Sequence, residues 1–114
     1  MFDDDLASRV RGLLLTRDDV SEQRMFGGLA FLVHGNMAVA ASGLGGLMVR
    51  VPPGRTAELL AEPGAAPMEM RGRTMNGWLR VDAGAVADPD ELEHWVRLGV
   101  EHAATLPAKA TAAS

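Results

Sequence analysis

Two rhythms of apolar and polar positions divide this chain. Near its start, Leu6, Val10, Leu13 and Leu14 recur at helical spacing, which predicts an amphipathic helix over residues 3–15. Asp3, Asp4 and Asp5 open it, where negative charge complements the helix dipole, and Arg17 lies just beyond its end. Near the other terminus Leu92, Trp95, Val96, Gly99, Ala103 and Leu106 repeat the same spacing. Asp88-Pro89-Asp90-Glu91 supplies an N-cap, a proline at the first helical position and early acids. Glu93 and Arg97 form an i,i+4 pair on the polar side, and Pro107 stops the helix.

Between these helices the period shortens to that of strands. Residues 29–33 are apolar on both faces, with Leu29, Phe31 and Val33 on one side and Ala30 and Leu32 on the other. Residues 37–41 follow across His34-Gly35-Asn36, a turn of residues that tolerate positive φ. Two apolar faces predict a central strand covered on both sides, by a helix or by a second copy. Ala38 and Ala40 leave room for a helix to approach closely. The glycine-rich stretch 42–46 is expected to be a flexible connection to a third strand at 47–51. Pro53-Gly54-Arg55 opens a short helix that Pro63-Gly64 ends. Residues 68–71 and 77–81 read as a second hairpin, turned at Asn76-Gly77.

The order is therefore α-β-β-β-α-β-β-α, with residues 18–23 as a polar connector. Tight turns between neighbouring strands predict an α+β fold: an antiparallel sheet of about five strands flanked by helices. Residues 1–108 form one domain, and residues 109–114 are expected to be a disordered tail.

Composition narrows what this domain can do. With 114 residues, 47 % of them hydrophobic, the chain is long enough for one core, built mostly from Leu, Val, Ala and seven methionines. It has no cysteine, which excludes disulfides, thiolate metal sites and cysteine nucleophiles. The acidic N-terminus is unlike a signal peptide, and no apolar run reaches the ~20 residues that span a bilayer. A cytoplasmic location is expected, with no membrane partner. The net charge is −4 and Lys109 is the one lysine, so nucleic acid is disfavoured as a partner and would need a local arginine patch.

Such a patch is the main candidate chemistry. Arg71, Arg73 and Arg80, with Trp78 as a stacking surface and Arg24 if its strand lies nearby, form a candidate anion or partner contact. The plainer account is strand-end arginines on a solvated face. The methionines at 25, 37, 48, 68, 70 and 75 read mostly as core filler, some lining an adaptable apolar interface. The loop 42–46 does not run from a strand into a helix, as phosphate loops do, and no Lys-Ser/Thr pair follows it. His34, His94 and His102 lack metal-ligand spacing. No nucleophile, base and electrophilic stabiliser converge in the sequence. No catalytic residue, cofactor or metal site is assigned, and a non-enzymatic module is expected.

Arg24-Met25-Phe26-Gly27-Gly28, followed by an apolar strand, Gly35-Asn36 and Met37-Ala38-Val39-Ala40, resembles the N-terminal domain of the TfoX/Sxy family. Leu47-Met48-Val49-Arg50-Val51 resembles its third strand, and Met70-Arg71-Gly72-Arg73 through Gly77-Trp78-Leu79-Arg80-Val81 its second hairpin. The closing Leu92-x-x-Trp95-Val96 helix, ending at Leu106-Pro107, also fits, so the similarity covers residues 3–108. The resemblance implies the same α+β fold and a regulatory or protein-binding role, with self-association or a protein partner. Named members regulate natural competence beside a cyclic-AMP receptor-type activator and carry a second, helical domain. This chain resembles the first domain alone, and the competence role is carried over only as an alternative, through nucleic acid and the arginine patch. A further alternative is a small-ligand binder or enzyme, with the glycine-rich loop as a lid over Arg24. Within Arg24–Gly28, Met25 and Phe26 are expected to anchor the strand entry, while Gly27 and Gly28 allow a bend or a close approach.

Overall fold

The structure, a computed structural model, describes residues 3–25, 27–70 and 72–108; the tail predicted at 109–114 lies outside them, as do Phe26 and Arg71. Helix α1 (Asp4–Leu13) starts at Asp3, whose carboxylate accepts from the backbone N–H of Asp5 and Leu6 at 2.9 and 3.2 Å. Strands β1 (Val20–Met25), β2 (Gly28–Val33), β3 (Asn36–Ala41) and β4 (Leu47–Arg50) follow. A 3-10 turn at Pro53–Arg55 leads into the short helix α2 (Thr56–Leu59). Strands β5 (Ala65–Met70) and β6 (Arg73–Val81), the one-turn helix α3 (Ala83–Val86) and the long α4 (Pro89–Thr105) complete the order.

The six strands form one sheet in the order β1-β2-β3-β4-β6-β5, every neighbouring pair antiparallel. The fold is α+β, as the turn chemistry predicts, with one strand more than expected. The additional strand, β1, occupies most of the segment read as a polar connector. It is a sheet edge and its residues are exposed or half-buried throughout, so it lacks the apolar alternation that reveals a strand.

The second hairpin turns elsewhere than predicted. Met70 pairs with Arg73, and Gly72 between them has φ 78°. Asn76 and Gly77 lie inside β6. Gly77 keeps the positive φ (89°) that made it look like a turn residue, but uses it to bend the strand. Its N–H donates to Thr56 Oγ1 at 3.1 Å and its carbonyl accepts from Val51 N–H at 2.8 Å. Thr56 Oγ1 in turn donates to the Pro53 carbonyl at 3.0 Å. The bend therefore ties β6 to the 3-10 turn and α2.

The helices all serve one face of the sheet. Leu6, Ala7 and Val10 of α1, Leu59 of α2, Val86 of α3 and Leu92, Trp95, Val96, Val100 and Ala103 of α4 share a single buried cluster with the strands. The strands contribute alternate residues, among them Leu29, Phe31 and Val33 of β2, Leu47 and Val49 of β4, and Leu79 and Val81 of β6. Helix α4 lies closest: a Cβ on Gly99 would stand 2.5 Å from the Ala38 carbonyl oxygen. The small residues foreseen in β3 do permit this contact, through Ala38 alone. Ala40 points to the opposite side.

Candidate functional site

Among the described residues that opposite side carries no helix. Its buried residues, Ala30, Leu32 and Ala40, belong to strands only, and the apolar side chains packed on them are Met25, Met37 and Met48. The expectation of a sheet covered on both faces is thus met on one. On the second, half-exposed methionines lie across a floor of small residues. A thioether on an unbranched stem can lie along a sheet and repack against varied shapes, which suits it to an adaptable contact surface.

Alternation along β4 and β6 extends this face. Leu47 and Val49 turn to the helices, so Met48 and Arg50 turn away from them; Leu79 and Val81 do the same for Trp78 and Arg80. Arg50 and Trp78 are directly paired across the two strands, as are Met48 and Arg80. The Arg50 guanidinium sits 5.3 Å from the centre of the Trp78 ring, an attraction of about 0.5–1 kcal/mol or somewhat more at this half-buried site. Arg80 Nη2 donates to the Gly45 carbonyl at 3.1 Å. Among the described residues neither arginine has a carboxylate in its ion-pairing range, although Arg11, Arg17, Arg55 and Arg97 all do. The residues of β1, β2 and β3 that share this side include no acid. A chain of net charge −4 therefore presents a locally cationic, methionine-rich surface.

Of the residues singled out in the sequence, Trp78 and Arg80 come together here. Arg73 is exposed at the start of β6 by the hairpin turn. Arg24 is opposite Leu29, on the helix-covered side of the far edge strand, and three strands separate β1 from β6. Arg50 was missed. The signal that finds it is the alternation of Leu47 and Val49 with Met48 and Arg50, which places it beside Trp78 once β4 and β6 are known to pair.

The glycine motif at β1–β2 packs against the glycine-rich loop after β3. A Cβ on Gly28 would collide with the Ala41 carbonyl, and one on Gly43 would stand 2.7 Å from the Gly27 carbonyl oxygen. The two backbones thus meet where only glycine fits. The loop itself is hydrogen-bonded and not a loose connection. Ser42 N–H donates to Gly46 O at 3.1 Å, Gly45 N–H to Ser42 O at 3.1 Å, and Leu44 N–H to Ser42 Oγ at 3.1 Å. Leu44 at its tip is 85 % exposed. A cleft of about 390 Å³ beside it is lined by Leu44, Gly45, Gly46, Arg80 and Asp82 among others; Arg24 does not border it.

Two further histidines face carboxylates, whereas Glu91 Oε2 and Trp95 Nε1 are buried without a hydrogen-bond partner among the described residues. His94 Nε2 lies 2.9 Å from Glu62 and His34 Nε2 3.4 Å from Asp19. Burial, with the charge of Arg50 adding to it, holds the His102 imidazole below its ordinary pKa. Among the described residues no three His, Asp or Glu side chains gather as metal ligands, and no helix is long and apolar enough to cross a membrane.

These features define a two-layer α+β domain, its antiparallel sheet covered by helices on one side and open on the other. The chain belongs to the TfoX N-terminal domain family, whose model matches residues 13–103. That span includes the Arg24–Gly28 motif, all six strands and most of α4. No curated protein and no solved structure matches the chain.

Proposed function

We propose that this domain is a non-enzymatic regulatory module that takes a protein partner on its open sheet face. The observation that carries this is the pairing of a methionine-rich face with two arginines that have no carboxylate partner among the described residues. The partner that fits is a segment with apolar side chains for Met25, Met37 and Met48 and carboxylates for Arg50 and Arg80. Apolar burial supplies the affinity and the charges set orientation, since rim charges contribute mostly to steering and register. The non-enzymatic reading is supported by the polar inventory: Ser42 closes its loop, Thr56 braces β6, and His94 and His34 face carboxylates.

Selection of short random peptides on the immobilised domain tests this. Enriched sequences should combine large apolar residues with Asp or Glu, and should be lost with the pair Arg50→Glu and Arg80→Glu or with Met37→Asp. Enrichment that ignores all three substitutions, or none at all, would sink the proposal.

A second reading rests on the stacking of Arg50 on Trp78 with Arg80 beside it. A sheet face with an aromatic platform and cations is also how single-stranded nucleic acid is held. Fluorescence anisotropy of a labelled oligonucleotide at low salt decides it, because the electrostatic contribution is largest there. An unchanged anisotropy removes nucleic acid as the direct ligand.

A further inference from the structure

The two edges of the sheet differ in how they are finished. The β5 edge carries Pro67 and a register irregularity between Pro67 and Glu69, both devices that keep another strand from adding. The β1 edge has neither: its six residues pair with β2 in unbroken register and contain no proline.

The direction of its backbone groups follows from one hydrogen bond. His34 N–H donates to the Asp19 carbonyl at 3.2 Å. In an antiparallel ladder, hydrogen-bonded and non-bonded pairs alternate. The pair Val20–Val33 next to it is therefore non-bonded, and so are Glu22–Phe31 and Arg24–Leu29. Val20, Glu22 and Arg24 consequently turn their N–H and C=O groups away from β2, toward open solvent. Only these residues can form bonded pairs with an added strand.

We propose that the occupant of this edge is a second copy of the chain, its β1 antiparallel to the first with Gln23 on the two-fold axis. Four symmetric registers satisfy the backbone parity near the strand centre, and the one with Ser21 facing Ser21 overlaps only residues 20–22 of each strand, with Glu22 opposite Val20. Another sets Glu22 against Glu22 of the second copy, and a third sets Arg24 against Arg24. The fourth, with Gln23 facing Gln23, sets each Glu22 opposite an Arg24, twice over, on the helix-covered side. Like charges directly opposite are destabilising and opposite charges favourable, so charge, together with the five strand residues that overlap in it, selects this register. Arg11 already holds Glu22, at 2.6 and 2.9 Å, and each carboxylate oxygen retains a lone pair for a second donor. The two Glu22–Arg24 pairs would share about four main-chain hydrogen bonds.

Two consequences support the arrangement. Leu15, 78 % exposed, borders a cleft of about 180 Å³ together with Val20, Ser21 and Glu22, so an exposed apolar side chain sits beside the joint for the second copy to cover. Ser21, Gln23 and Met25 lie on the open side of β1, and pairing would merge the two open faces into one continuous surface.

A chain without cysteine makes the register directly testable. In Gln23→Cys the two thiols face each other across a non-bonded pair, with Cα atoms ~4.5 Å apart, inside the ~4.4–6.8 Å that a disulfide spans. In Ser21→Cys the thiol lies opposite Met25 of the second copy, and the two thiols are ~14 Å apart. In an oxidised-glutathione buffer, Gln23→Cys should form disulfide dimers at least about tenfold faster than Ser21→Cys. Sedimentation should show a dimer for the wild type and a monomer for Arg24→Glu, which places like charges opposite. A companion variant, Glu22→Gln, should weaken the dimer without the repulsion. Equal cross-linking of the two cysteine variants, a wild-type monomer at every concentration, or a dimer that persists in Arg24→Glu would each overturn the proposal.

Discussion

Gly99 of α4 and Ala38 of β3 meet backbone to backbone: a Cβ on the glycine would lie 2.5 Å from the Ala38 carbonyl oxygen and 2.8 Å from Val39 Cγ1. The long helix rests on the sheet through this contact, with Trp95 and Val96 one turn before it and Val100 and Ala103 after it. Gly99→Ala gains about 1 kcal/mol of helix propensity but must lift the helix from a central strand. We expect a net loss of about 1–3 kcal/mol, as for overpacked cores, read by urea denaturation. A gain in stability would show that the helix is free to shift.

Gly27 and Gly28 are adjacent yet predict different costs. Gly27 has φ 74° and open space around its Cβ position, so Gly27→Ala should cost about 1–2 kcal/mol of left-handed backbone strain. Gly28→Ala drives a methyl into the Ala41 carbonyl and toward the Gly43 backbone. It should be the more damaging of the two, and thermal melts of both variants give the order.

Thr56 is buried and its hydroxyl receives the Gly77 N–H. Thr56→Val keeps the shape but leaves that donor without a partner in the interior. The expected loss is about 1–3 kcal/mol, whereas Thr56→Ser should retain most of the wild-type stability. Equal losses in the two variants would assign the effect to packing instead.

Acid should weaken the fold in two separate windows. Burial, with Arg50 adding to it, holds His102 below its usual value, so the unfolded chain takes up that proton more readily. Stability from this source is complete above about pH 6.5 and is lost as pH falls below it. Hydrogen bonding from Arg11 holds Glu22 below the usual carboxylate range, and hydrogen bonding from Arg17 does the same for Asp19. Their contribution is complete above about pH 4.3 and disappears on further acidification. Melting temperature against pH should lose its upper slope in His102→Gln and part of its lower slope in Glu22→Gln. Added salt should blunt the second effect, because those pairs are exposed.

The helices and the apolar strands were legible because burial on one side leaves a period in the sequence. Leu92, Trp95 and Val96 mark α4, Leu47 and Val49 mark β4, and the Glu93–Arg97 pair forms as spaced, at 3.2 Å. Strand β1 was not legible, since an edge strand with four exposed central residues carries no such period. Asn76-Gly77 misled for a different reason. Positive φ at glycine is a local fact, and whether it ends a strand or bends one is decided by Thr56, twenty-one residues away. Of the four candidate arginines, Arg24 and Arg80 are set apart by sheet order, which no local pattern encodes. The same topology sets Arg50 opposite Trp78.

With helices on a single side, the two tryptophans inhabit different optical environments. Trp95 is fully enclosed beneath the helical layer, and Trp78 lies half-exposed on the open face. The chain contains no tyrosine, so its near-ultraviolet emission comes from these two indoles alone. Iodide or acrylamide should extinguish the redder component, from Trp78, and leave the bluer one from Trp95. Trp95→Phe and Trp78→Phe isolate each signal. The domain thus carries two intrinsic fluorophores, one reporting whether the fold is intact and the other whether the open face is occupied.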